Sequence, residues 1–102
     1  MCIRDRVYKD LLLNLTAKTL TAKIFFESNE HDVLLSHLDA MGQFIRRKKV
    51  MGYHQDNFQN FISFLKKIIE IPDFEKENRK ELKKEIGAVK SVAERRWLLE
   101  QV

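Results

Sequence analysis

Apolar residues recur along this chain at helical spacing in four stretches, with polar positions on the intervening faces. Leu34, Leu38, Met41 and Ile45 share one helix face, and Phe58, Phe61, Ile62, Leu65, Ile68 and Ile69 share another. This rhythm predicts an all-α chain. A first helix is expected from Val7 to Glu27, with Leu13, Ala17, Leu20 and Ile24 as its stripe and Phe25 and Phe26 widening it near the end. Thr16, Thr19 and Thr21 lower its intrinsic propensity, so packing has to hold it. Ser28-Asn29-Glu30 marks a break. Asn29 suits an N-cap, and Glu30 and Asp32 place negative charge at the positive end of the next dipole. The second helix is expected to reach Lys49, closing on the cations Arg46, Arg47, Lys48 and Lys49, with Gly52 available for a left-handed cap.

A third helix is expected from His54 to Ile71, stopped by Pro72, with Asp73 capping the helix after it. Phe64 lies off its main stripe and points to burial against more than one neighbour. The last helix is expected to start between Phe74 and Asn78 and run almost to Val102. Leu82, Ile86, Val89, Ala93 and Trp97 form its stripe, and Glu77 with Lys80 and Glu81 with Lys84 form i, i+3 pairs. Gly87 costs this helix on the order of 1 kcal/mol relative to alanine, and a split there is the alternative. Links of a few residues between long helices make consecutive helices antiparallel. The predicted fold is four antiparallel helices, as two stacked hairpins at the end of an α-solenoid or as a small bundle. A short internal echo, Lys23 to Glu27 against Lys67 to Glu70, suits paired hairpins.

Composition narrows the picture further. The chain has 102 residues, 44% of them hydrophobic and 33% charged, with three glycines and one proline. Those values exclude the disordered class and favour long helices. No apolar run approaches the roughly 20 residues that span a bilayer, no signal-peptide core is present, and a cytoplasmic location is the default. The single cysteine, Cys2, can form neither an internal disulfide nor a zinc site. Met1 to Arg6 resemble translated sequencing-adapter leaders. The expectation is a non-native leader over residues 1–6, with residues 7–102 forming a single helical domain, the C-terminal fragment of a longer protein.

Candidate chemistry is sparse. His31 and His37 do not share a helix face, and no Glu-x-x-His or His-Glu-x-x-His string occurs, so solvated or capping histidines are expected and no metal or other cofactor. The serines lack a glycine-framed turn, and no phosphate-cradling glycine loop is present. The expectation is therefore no enzyme. The net charge of +4 is mild. Its sharpest feature is the basic turn of Arg46, Arg47, Lys48 and Lys49, followed by Tyr53 and His54. These six are the candidate partner-binding residues. From Asp73 onward eight basic residues stand against seven acidic ones, which on balance adds no field. Trp97, Leu98 and Leu99 cannot all face one way, so the last helix is buried on two sides or docks a partner.

The string EHDVLLSHLDAMGQFIRRKKVMGYH from Glu30 to His54, an aromatic-rich helix after it and AERRWLLEQ from Ala93 to Gln101 resemble the C-terminal region of large uncharacterised bacterial α-helical proteins. These are similar to tetratricopeptide-type solenoids, although the usual Trp, Gly, Tyr and Pro positions of that repeat are not matched. The favoured reading of the chain is a non-catalytic protein-interaction or scaffold module whose stacked hairpins present a groove, with the basic turn lending polarity towards an acidic partner segment. The alternative is a small nucleic-acid-binding helical module using residues 46–54. An unpaired stripe on the first helix would make the isolated chain marginal or self-associating.

Overall fold

The computed structural model describes residues 2–48, 52–72 and 74–102, with side chains from residue 9 in the first segment and from residue 54 in the second. Every regular element among them is a helix: α1 (Cys2–Glu27), α2 (His31–Arg47), α3 (Gly52–Glu70), α4 (Lys76–Ala88) and α5 (Arg95–Gln101). They form two compact units, residues 1–50 and 51–102.

In the first unit α1 and α2 fold into a hairpin. The α2 stripe is Leu34, Leu38, Met41 and Ile45, all fully buried as their spacing predicts. Contacts across the hairpin rise along α2 as they descend α1. Phe26 stacks on His31 at 6.0 Å and Phe25 meets the edge of His37 at 5.8 Å. His37 Nε2 donates to the Lys18 carbonyl at 2.8 Å, and the Lys18 ammonium lies 4.7 Å from the Phe44 ring centre. His31 and His37 are thus half-buried packing groups rather than the solvated or capping histidines expected.

The buried face of α1 differs from the expected one. Leu15, Thr19 and Ala22 point inward, while Leu13, Leu20 and Ile24 are 68%, 56% and 54% exposed. Thr19 is tolerated inside because its hydroxyl donates to the Leu15 carbonyl at 2.8 Å, which leaves its methyl group to pack. Asn29 also takes another role. It does not cap α2, whose N-cap is Glu30 with no side-chain cap bond. Asn29 adopts φ 60° and closes α1. The Glu30 amide donates to Phe25 at 2.9 Å and the Asn29 amide to Phe26 at 3.1 Å. This paired return is a Schellman motif, in which asparagine fills the left-handed position at small steric cost. At the far end α2 stops at Arg47, with Lys48 as its C-cap, and Gly52 opens α3 instead of closing α2. Lys49 and the proposed Asp73 cap lie outside the described residues.

The second unit is built on α3. Phe61, Ile62, Leu65 and Ile68 are buried, as is the off-stripe Phe64, and Leu82, Ile86 and Leu98 complete the core. Trp97 is half-buried with its ring 6.3 Å from Phe61. The helix ladder of α3 ends at Ile71 before Pro72, and α4 starts behind Glu75.

The single long last helix is not formed, so the chain has five described helices rather than four. After Ala88 the backbone turns extended at Val89, and Glu94 sits at φ 59°. Tertiary bonds hold this break open. The Ala93 amide donates to the Asn57 carbonyl at 3.0 Å and the Asn60 amide donates to the Ser91 carbonyl at 2.7 Å. Arg95 donates to the Val89 carbonyl across the loop. Gly87, just before the break, would place an added Cβ in open space. Gly87→Ala is therefore expected to stabilise the second unit by about 1 kcal/mol, read as a higher urea midpoint with unchanged Trp97 emission.

Arg79 ties three helix ends together. From α4 it donates to the Ile71 carbonyl at 3.1 Å and the Gln101 carbonyl at 3.0 Å, the exits of α3 and α5. A guanidinium suits these orphan carbonyls at the negative ends of two dipoles. Charged hydrogen bonds of this kind contribute about 1.5–3 kcal/mol. Arg79→Ala is expected to cost about 2–3 kcal/mol, with Arg79→Lys intermediate because one ammonium cannot span both carbonyls. Urea unfolding followed at Trp97 measures it.

Candidate functional site

Only part of the basic turn singled out by the sequence lies within the described residues. Arg46 and Arg47 are exposed in the last turn of α2 and Lys48 is exposed at its C-cap. Successive helical residues diverge by roughly 100°, so Arg46 and Arg47 point in different directions. His54 is half-buried in α3 and belongs to the second unit. Lys49 and the side chain of Tyr53 lie outside the described residues.

A second cationic surface lies within residues 76–102, where the charge count suggested none. An open hollow of about 660 Å³ is lined by Lys83, Arg95, Arg96, Leu99, Glu100 and Val102. A second, of about 280 Å³, is lined by Lys76, Arg79, Lys80, Lys83 and Val102. Lys83 and Val102 border both, so the two form one strip along α4 and α5. Among the described residues, Glu100 is the only acidic side chain lining either hollow.

The charge separation is a property of α4. Lys76, Lys80 and Lys83 follow i, i+4, i+7 spacing and share one side of the helix. Glu77, Glu81 and Glu85 fall roughly 100–180° further round, and Leu82 and Ile86 are buried on the remaining side. α4 carries five basic residues, Lys76, Arg79, Lys80, Lys83 and Lys84, against three glutamates, and all but Lys84 lie off the glutamate side, a separation the segment total conceals. Arg79 and Arg95 are bound to backbone carbonyls and fix the walls. Lys80, Lys83 and Arg96 are exposed. Leu99 and Val102, both half-buried, give the strip an aliphatic floor.

Among the described residues no three His, Cys, Asp or Glu side chains come together as metal ligands. Among the same residues no helix is long and apolar enough to cross a membrane. Compared with protein-family models, curated proteins and solved structures, the chain matches none.

Proposed function

We propose that this chain is a non-catalytic protein-interaction or scaffold module, working in the cytoplasm as stacked hairpins of an α-solenoid of antiparallel helices. The observation that supports this reading is the outer face of α1. One side of that helix packs on α2 through Leu15, Thr19 and Ala22, and the other still presents Leu13, Leu20 and Ile24. A free-standing hairpin gains nothing from a second apolar stripe, whereas a hairpin within a stack uses both. A shallow hollow of about 290 Å³ beside this stripe, lined by Lys9, Leu12, Leu13 and Thr16, offers a seat for a neighbour's side chain.

In isolation the same face meets a second copy. Sedimentation of the chain should show reversible, concentration-dependent association. Leu13→Glu/Leu20→Glu/Ile24→Glu should be monomeric with unchanged helix content, because none of the three side chains is in the core. A wild-type chain that stays monomeric at all concentrations with a sharp melt would overturn the reading. The nucleic-acid alternative has in its favour the consecutive exposed cations Arg46, Arg47 and Lys48. Their divergence around α2 weighs against a single phosphate-tracking row.

A further inference from the structure

We propose that the strip between α4 and α5 binds an acidic segment of a protein partner, in which glutamates or aspartates flank one aliphatic anchor. The inference rests on the interaction-module reading and adds the chemistry of the partner. Lys76, Lys80 and Lys83 form a row along α4, and Arg96 of α5 faces the same hollow. Such a row attracts carboxylates spaced along a peptide. The floor of Leu99 and Val102 takes an apolar side chain, which supplies the affinity that exposed ion pairs alone do not.

The lining selects against nucleic acid. Among the described residues no aromatic ring lines either hollow to stack a base. Trp97, the nearest aromatic in sequence, lies against Phe61 instead. Glu100 at the larger hollow repels a phosphate chain, while a peptide can leave a neutral residue opposite it. The glutamates of α4 lie round the helix, so the acidic partner meets the cationic side alone.

The test uses the whole chain and three fluorescent probes of matched length: a Glu/Leu peptide of about twelve residues, the same peptide with serine for leucine, and a single-stranded oligonucleotide. The Glu/Leu peptide should bind most tightly and shift amide resonances within residues 76–83 and 95–102. Lys80→Gln/Lys83→Gln/Arg96→Gln should weaken it by about tenfold or more, and Leu99→Ala should remove its advantage over the serine peptide. Circular dichroism of both variants checks that the helices persist, since these side chains lie outside the fully buried core. Tighter binding of the oligonucleotide, shifts confined to residues 46–48 or to α1, or wild-type affinity in the glutamine variant would overturn the proposal. So would no binding by any probe. If the peptide fails while self-association through α1 persists, this inference falls alone. If self-association is absent as well, the interaction-module reading falls with it.

Discussion

A Phe61→Ala chain should lose most of the stability of residues 51–102. Phe61 is fully buried and meets Trp97 at 6.3 Å. Truncating a buried phenylalanine costs about 3–5 kcal/mol, from lost transfer energy plus the cavity left behind. A unit of this length holds about 3–8 kcal/mol in all, at the usual stability per residue. At the middle of both ranges the substitution removes more than half of it. Trp97 is the only tryptophan, so its emission reports this unit alone. The expected result is a urea transition at Trp97 moved to a far lower midpoint or absent in water. A midpoint within experimental scatter of wild type would mean that α3 and α5 do not pack through this pair.

The second large effect compares two leucines on one helix. Leu15→Ala should cost about 2–5 kcal/mol, because Leu15 is 0% exposed. Leu13→Ala should change the stability of the monomer by about 0.5 kcal/mol or less, because Leu13 is 68% exposed. Both replace leucine by alanine in α1, so propensity cancels and only position differs. Circular dichroism in urea, at a concentration low enough to keep the chain monomeric, reads the difference. Equal costs, or the larger cost at Leu13, would restore the face that the sequence pattern favours.

That contrast shows why apolar spacing points to the wrong face of α1 and the right face of α2. In α2 the side opposite Leu34, Leu38, Met41 and Ile45 holds polar residues, Asp32, Ser36, Asp39, Gln43, Arg46 and Arg47, so one phase of the helix is favoured. In α1 apolar residues point in nearly every direction, from Leu11 through Leu13 to Phe26. Leu13-Ala17-Leu20-Ile24 reads as a cleaner stripe than Leu15-Thr19-Ala22. The true face contains a threonine whose hydroxyl is satisfied by its own helix, and a binary apolar pattern discards such a residue.

The break after Ala88 is hinted at in the sequence only by Gly87, where a split is the alternative reading. The apolar spacing continues through Val89, Ala93 and Trp97 as though one helix ran on. What opens it is non-local: Asn57 and Asn60 of α3 supply the bonds that satisfy the loop backbone. Local periodicity carries no record of those partners. Asn29 is ambiguous in principle, because asparagine favours both an N-cap and the left-handed position after a helix. The cationic strip is legible in the i, i+4, i+7 spacing of Lys76, Lys80 and Lys83. Summing charges over the whole segment cancels it against glutamates on another face.

Amide hydrogen exchange on the intact chain tests the central claim, that buried apolar helix faces hold each of the two units together from within and leave the charged surfaces outside. The account predicts the slowest exchange within 34–45 and 61–68, intermediate protection within 15–22 and 82–86, and rapid exchange at Lys90, Ser91 and Val92. Continuous protection from Leu82 through Trp97, or uniformly rapid exchange within 34–45 and 61–68, would contradict it.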